Sequence, residues 1–191
     1  MRPATRPSAL AHVSLAEWDD AYSQRDDAYE LVDGIPTVAP HETLGNVEAT
    51  TRLIEILHPI IRPVWRALPH FAVHLGERHG WSTVRRPDLA VVRRGIDPTR
   101  HRVEPDDIAL VVEVVSPGSV ERDTITKRAE YARAGIPAYL VVDVRRPRPA
   151  VVLFDQVRDG AYVTPEADGT AATLRIGDHT VAVLATDLVD A

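Results

Sequence analysis

Residues 108–115, near the middle of the chain, are all apolar except for one glutamate, Glu113. Such a continuous apolar run is typical of a β-strand covered on both faces, so we expect this strand at the centre of a sheet. A segment with helical signals follows it, and a second apolar run occupies residues 138–142. Strand, helix and strand in this order predict a right-handed crossover between two parallel strands, as in α/β folds.

Local patterns predict further elements before this core. Ser14 and Glu17 fit a capping box at the start of a helix, and Asp33 with Gly34 fits the turn of a β-hairpin. Five side chains, four of them apolar, then recur at spacings of three and four, which predicts a helix with one face directed at a core. These side chains are Val47, Thr50, Ile54, Leu57 and Ile61.

Strands are predicted around and after the central one. Residues 71–75 alternate like a strand, residues 80–83 are expected to turn the chain, and residues 89–92 form the next strand. Four short antiparallel strands are predicted after residue 150. The fold class is therefore α/β, with a central mixed β-sheet flanked by helices and extra C-terminal strands. We expect a single domain over residues 1–191, divided into a flexible start (1–13), a core (14–143) and a β extension (150–191).

Composition excludes several classes of protein. The chain has no cysteine, so disulfides, thiolate zinc sites and iron–sulfur clusters are excluded. Its apolar runs are far shorter than the roughly 20 residues of a membrane span, and its start lacks the apolar core of a signal peptide. We therefore expect a cytoplasmic protein without a membrane partner. The net charge of -6 disfavours bulk coating of nucleic acid, although arginine clusters leave either a local basic groove or solvated loops open.

Two carboxylates are the first candidates for chemistry. Glu113 would be buried, so it must pair with a cation such as an arginine, bind a metal or take up a proton. Asp88 stands directly before a predicted strand, where an aspartate is often only a turn residue. If the two strands are neighbours, the two carboxylates converge on a site for a hard divalent ion such as Mg²⁺.

Lys127 is the third candidate, because 21 of the 22 basic residues are arginine and this is the remaining one. A lysine is a compact charge whose pKa shifts readily on burial, which suits a catalytic group better than a surface ion pair. Asp123, Lys127 and Tyr131 share one face of the predicted helix, at spacings of four residues. The alternative is an exposed Asp123–Lys127 pair.

Histidines give a weaker signal. His70 and His74 lie about 13 Å apart if both are on one strand, so they cannot share a zinc ion. A zinc site built from His70, His74 and His79 is therefore not expected. The three tryptophans are too scattered to form a platform for stacking bases.

The order and spacing of these residues resemble the PD-(D/E)XK nucleases of the restriction-endonuclease-like fold, and within them the Uma-two type of endonuclease. The resemblance extends from about Leu15 to Asp143. Five segments carry it: Tyr29-Glu30-Leu31-Val32-Asp33-Gly34, Arg86-Pro87-Asp88-Leu89, Val112-Glu113-Val114-Val115-Ser116-Pro117, Asp123 with Lys127 and Tyr131, and Ala134-Gly135-Ile136-Pro137 leading into residues 139–143.

The resemblance implies a site. Asp88, Glu113 and Val114 would bind Mg²⁺ or Mn²⁺, and Glu30 would support the metal from the first strand. The superfamily's lysine usually stands where this chain has Val115, and Lys127 on the next helix takes its place. His41, Asp123 and Tyr131 are implied as accessory residues.

The implied activity is metal-assisted hydrolysis of phosphodiester bonds in nucleic acid, with DNA as the substrate and Asp88, Glu113, Lys127 and Glu30 as the catalytic set. A homodimer is expected, because cutting two strands favours two sites and the C-terminal strands offer an edge for pairing. Two alternatives stay open: an inactive module of the nuclease fold that binds nucleic acid or protein, and another metal-dependent hydrolase that uses the same carboxylates.

Overall fold

The structure is a computed structural model that describes residues 12–22, 29–39, 42–116, 121–145, 148–163 and 169–189. The helices are α1 (Leu15–Ala21), α2 (Leu44–Ile61) and α3 (Arg128–Arg133), with a π-helical turn at Arg122–Lys127 and 3₁₀ turns at Pro105–Asp107 and Ala185–Leu188. The strands are β1 (Tyr29–Val32), β2 (Ile35–Val38), β3 (Trp65–Pro69), β4 (Ala72–Arg78), β5 (Trp81–Arg85), β6 (Leu89–Arg93), β7 (Arg102–Val103), β8 (Ile108–Val114), β9 (Tyr139–Asp143), β10 (Ala150–Phe154), β11 (Val157–Arg158), β12 (Ala161–Tyr162), β13 (Ala171–Ile176) and β14 (His179–Leu184).

The main sheet has the strand order β10-β9-β8-β6-β3, so β8 lies at its centre. All seven residues of β8 are buried, as its apolar sequence predicts. β8 and β9 run parallel, and the other neighbours in this sheet are antiparallel. The predicted mixed sheet and the parallel pair around a helical crossover are therefore confirmed.

A second mixed sheet, in the order β2-β1-β5-β4-β7, contains the predicted hairpin. Asp33 and Gly34 form its turn with φ of 46° and 78°. A Cβ at Gly34 would approach the Trp81 ring to 2.7 Å, so this glycine is required by space as well as by backbone conformation. The expected turn at residues 80–83 is only partly right, because residues 81–85 form β5 between β1 and β4.

Helix α2 covers the main sheet, but its buried face differs from the predicted one. The side chains that it buries are Asn46, Ala49, Thr50, Leu53, Leu57 and Ile61. Val47, which the sequence places in the core, is 46% exposed. Small and polar residues on the buried face caused this error, because Asn46 and Ala49 carry little hydrophobic signal.

The C-terminal strands belong to the same core. β10 pairs with β9 and extends the main sheet. β13 and β14 form an antiparallel ribbon whose buried residues, such as Leu174 and Val183, share one hydrophobic cluster with Leu53 and Leu57 of α2. The β extension therefore covers α2 as well as lengthening the sheet.

The start of the chain is described from residue 12 onward. His12 stacks on Trp81 with ring centroids 4.4 Å apart, and the Val13 N–H donates to the Gly34 carbonyl at 2.7 Å. Residues 12 and 13, which are expected to be flexible, are thus packed against the hairpin, while residues 1–11 lie outside the described part. Among the described helices, none combines the length and the apolar character that a membrane span requires.

Candidate metal centre

The pairing of three strands places His70, Asp88 and Glu113 at neighbouring positions across the main sheet. Pro69 on β3 is paired with Leu89 on β6, and Leu89 is paired with Val112 on β8. Continuing both antiparallel registers by one residue puts His70 opposite Asp88, and Asp88 opposite Glu113. Residues directly opposite one another point to the same face of a sheet. The two predicted carboxylates therefore come from neighbouring strands.

Asp88 is buried at the start of β6, with 6% of its surface exposed. Its Oδ2 accepts a hydrogen bond from the Val114 N–H at 2.5 Å. Burial raises the pKa of Asp88 to about 9, and the charges of Glu113 and Glu42 act in the same direction. Ionisation of Asp88 is therefore costly in these surroundings.

Glu113 is held by two donors on the following helical segment. Tyr131 donates its hydroxyl hydrogen to Oε1 at 2.7 Å, and the Lys127 ammonium lies 2.8 Å from Oε2. Burial raises the pKa of Glu113 to about 7, although the charge of Lys127 opposes this shift. The anomalous glutamate of β8 is thus paired with a lysine, whereas an arginine was the alternative predicted from sequence.

Lys127 is also buried, at 5% exposure, and lies at the end of the π-helical turn. Its Nζ is 3.6 Å from both Glu30 Oε1 and Asp123 Oδ1. Burial alone would lower the pKa of Lys127, but the charges of Glu113, Glu30 and Asp123 raise it above its ordinary value. This direction favours the ammonium form of the side chain at neutral pH. The alternative prediction of an exposed Asp123–Lys127 pair is wrong, because both side chains are buried.

Glu30 contacts the lysine and a buried arginine. Its Oε2 accepts from Arg85 Nη1 at 2.7 Å and its Oε1 accepts from the Arg86 N–H at 3.1 Å. Although burial opposes it, the charges of Lys127 and Arg85 hold the pKa of Glu30 below its ordinary value. Arg85 also binds Glu130 through two hydrogen bonds, at 2.7 and 2.8 Å. The sequence analysis missed Arg85 and Glu130, because Arg85 lies on a strand that was not recognised.

Val114 has both of its backbone polar groups engaged beside the carboxylates. Its N–H donates to Asp88, and its carbonyl accepts from Asn46 Nδ2 at 2.9 Å. Asn46 was missed by the sequence analysis. A single amide on the inner face of α2 is the signal that could have identified it, since buried amides need hydrogen-bond partners.

These side chains surround a cleft with a cavity of about 30 Å³, enough for a cation or a water molecule. Glu30, Asp88, Glu113, Val114, Asp123 and Lys127 all line it. Arg86 and Arg122 line it too; the buried Nε–H of each forms no hydrogen bond, although Arg122 Nε lies 3.6 Å from Asp123 Oδ1 in an ion pair. His41 lies outside the described residues. The cleft is thus acidic inside, with two guanidinium groups at its wall.

A histidine that the sequence analysis set aside lies in this region. One ligand atom each from Glu42, His70 and Asp88 lies within 4.8 Å of the others. His74 is elsewhere and contacts Glu104, with Nδ1 2.9 Å from Oε2. His70 and His74 thus lie in different surroundings, and the sequence analysis did not predict the placement of His70 beside Asp88. This placement carried no local signal because β3, which ends next to His70, was not predicted.

Comparisons with known proteins agree with this architecture. The sequence profile of the Uma2 family, described as "Putative restriction endonuclease", matches residues 15–180. A solved structure of a "putative nuclease belonging to DUF820" from Anabaena variabilis is similar with a TM-score of 0.62. It is 15% identical in sequence, and the similarity covers 92% of this chain and 97% of that one, which shows a shared fold. No curated protein matches the chain.

Proposed function

The chain belongs to the Uma2 family, and from this premise we propose that it is a metal-dependent endonuclease that hydrolyses phosphodiester bonds of DNA. The observation that carries the proposal is the meeting of Asp88, Glu113 and Lys127 in one cleft. Two buried carboxylates on neighbouring strands, next to a buried ammonium, match the needs of a reaction in which negative charge develops on a phosphate.

Asp88, Glu113 and the Val114 carbonyl are the proposed ligands of Mg²⁺ or Mn²⁺. All three donors are hard oxygens, which these ions prefer. The raised pKa of Asp88 supports the assignment, because burial and the neighbouring charges of Glu113 and Glu42 make ionisation of this carboxyl costly unless a cation is bound. When bound, the ion would lower the pKa of a water molecule and stabilise negative charge on the phosphate.

Lys127 is proposed to stabilise the negative charge of the transition state. Its raised pKa keeps it protonated, so it acts as a fixed positive charge. Glu30 and Asp123 hold its Nζ from two sides, each at 3.6 Å, and Tyr131 fixes the Glu113 carboxylate that the lysine contacts. Such preorganised charges need little rearrangement during the reaction.

Arg86 and Arg122 are proposed to bind a phosphate of the substrate at the wall of the cleft. The buried Nε–H of Arg86 has no hydrogen-bond partner, that of Arg122 has only an ion-pair contact of 3.6 Å to Asp123 Oδ1, and phosphate oxygens are strong acceptors for such groups. Two local arginines also explain how a chain with a net charge of -6 could bind a polyanion.

One observation favours the alternative, an inactive module that binds nucleic acid. Both oxygens of Glu113 are already engaged, one by Lys127 and one by Tyr131. A metal ion would have to share or displace one of these contacts. If the contacts persist in the presence of Mg²⁺, the cleft would bind a phosphate without cleaving it.

A cleavage assay tests the proposal. The purified chain is incubated with plasmid and with single-stranded DNA and RNA, in Mg²⁺, Mn²⁺ or a chelator. We expect cleavage of DNA that stops in the chelator and in the Glu113→Gln variant. The control is Glu55→Gln, which alters an exposed carboxylate on α2 and should cleave like the wild type. Cleavage by Glu113→Gln at the wild-type rate would contradict the proposal, and binding of DNA without cleavage would favour the inactive module.

A further inference from the structure

His70 is fixed beside Asp88 by its backbone. It lies in the turn between β3 and β4 with a φ of 50°, and its N–H donates to the Asp88 carbonyl at 3.3 Å. The hydrogen bond continues the β3–β6 pairing by one residue beyond Pro69 and Leu89. The pairing of β3 with β6 therefore fixes the position of His70 next to Asp88.

Glu42 approaches the same point from another element. It directly precedes Thr43, the residue that caps α2, and its side chain is exposed at the mouth of the cleft. The ligand atoms of Glu42, His70 and Asp88 all lie within 4.8 Å of one another. Three elements of the fold thus bring two carboxylates and an imidazole to one small volume.

The charges here are not balanced by the protein. Lys127, which neutralises Glu113, forms its ion pairs with Glu113, Glu30 and Asp123. Within the described part of the chain, no lysine or arginine forms an ion pair with Asp88 or Glu42. A buried aspartate with a second carboxylate close by therefore requires a proton or a cation.

The geometry points to a second divalent-cation site formed by Glu42, His70 and Asp88, adjoining the proposed nuclease centre and sharing Asp88 with it. The inference rests on the proposed function for this shared role of Asp88, but its other two ligands, Glu42 and His70, are not among the ligands proposed for the nuclease metal. Its distinguishing feature is a nitrogen donor. Transition-metal ions accept an imidazole ligand beside carboxylates, whereas Mg²⁺ binds almost entirely through oxygen.

Pulsed electron paramagnetic resonance with Mn²⁺ as the probe tests this site. A histidine ligand gives a nitrogen coupling on the bound Mn²⁺, and growth on ¹⁵N-histidine should change that coupling in the otherwise unaltered wild type. We expect the coupling in the wild type and its loss in His70→Gln. The matched control is His79→Gln, an exposed histidine that also has a positive φ of 53° and should leave the coupling unchanged.

Two further variants separate this site from the nuclease centre. Glu42→Gln changes an exposed side chain, so it should fold normally and weaken Mn²⁺ binding about tenfold or more. Glu113→Gln should keep the nitrogen coupling while DNA cleavage is lost. The inference would be overturned if the wild type bound no Mn²⁺ or showed no nitrogen coupling. It would also be overturned if the coupling survived in His70→Gln or was lost in Glu113→Gln. Absent cleavage with the nitrogen coupling intact would instead contradict the proposed function alone.

Discussion

At the scale of single residues, the centre contains a network of buried charges in which each group is stabilised by its partners. Lys127 contacts Glu113, Glu30 and Asp123, and all four side chains are buried. Removing one member of a buried ionic network leaves its partners uncompensated, which is more costly than the loss of an exposed pair. The chain uses arginine almost everywhere else, so the buried lysine is the position that the composition identified best.

Replacement of Lys127 by methionine should therefore destabilise the protein strongly. We expect the free energy of unfolding at neutral pH to fall by about 3–5 kcal/mol, because a buried charge network loses its cation. Urea unfolding monitored by circular dichroism measures this. The control is Arg78→Met, which removes an exposed cation and should change stability by about 0.5 kcal/mol or less. Equal losses for the two variants would refute the role given to the network.

The raised pKa values of the carboxylates predict how stability depends on pH. Burial raises the pKa of Asp88 to about 9 and that of Glu113 to about 7, whereas in the unfolded chain both titrate near their ordinary values of about 4. Between these limits the folded state binds more protons than the unfolded state. Without metal, the free energy of unfolding should therefore decrease as the pH rises from about 5 to about 9.

Urea titrations in a chelator across this range test the prediction. The wild type should lose stability toward pH 9, and Asp88→Asn should lose less, because it cannot ionise. A stability that is constant or rises with pH in the wild type would show that the carboxylates are not strained by burial in the apo protein.

At the scale of secondary structure, the sequence predicted elements well where local signals and burial agreed. The capping box at Ser14 and Glu17 is present with both of its hydrogen bonds, and the hairpin turns at Asp33 and Gly34. β5 was misjudged because Ser82 and Thr83 looked like turn residues. They are buried within the second sheet, and Thr83 Oγ1 accepts a hydrogen bond from the Asp33 N–H at 3.1 Å.

The strength of the local signals also explains which residues of the site could be predicted from the sequence. Asp88, Glu113 and Lys127 follow strong strand and helix signals, so their meeting was predictable from the order of elements. Arg85 and His70 depend on β5 and β3, which are short and mixed in composition. Their positions follow from sheet pairing over long sequence distances, for which the chain carries no local signal.

The hairpin turn offers a test at this scale. Gly34→Ala should destabilise the protein more than Gly80→Ala, because both glycines have a φ near 80° but only at Gly34 would the added Cβ lie 2.7 Å from the Trp81 ring. The backbone change alone costs about 1 kcal/mol, and crowding adds about 1–3 kcal/mol. Thermal unfolding of the two variants measures the difference. Equal stabilities would show that the tryptophan moves aside freely.

At the scale of the whole molecule, each of the two sheets contributes different residues to the cleft. The main sheet provides Asp88 and Glu113, and the second sheet provides Glu30 through its hairpin and Arg85 through β5. The resemblance stated from sequence motifs ended near Asp143, whereas the family match reaches residue 180 and therefore includes β10, β13 and part of β14. These short C-terminal strands contain no candidate site residues, so they offered no motif to recognise. Their packing on α2 nevertheless makes them part of the core.

Assembly is a further property of the whole molecule. Within the described residues, β14 pairs only with β13, which leaves an edge on which a second copy could pair. We predict a homodimer, because cleavage of two DNA strands is served by two centres. Light scattering coupled to size-exclusion chromatography should give twice the chain mass of 21.0 kDa. The mass of a single chain across the accessible concentration range would remove this prediction.

The central claim is that Asp88 and Glu113 together bind a divalent cation, and a crystal structure of the protein grown with Mn²⁺ tests it most directly. The account predicts an anomalous peak that contacts carboxylate oxygens of both residues, with Glu113 sharing or releasing its contact with Lys127 or Tyr131. A peak that leaves Glu113 bonded only to Lys127 and Tyr131, or no peak in the cleft at saturating Mn²⁺, would contradict it.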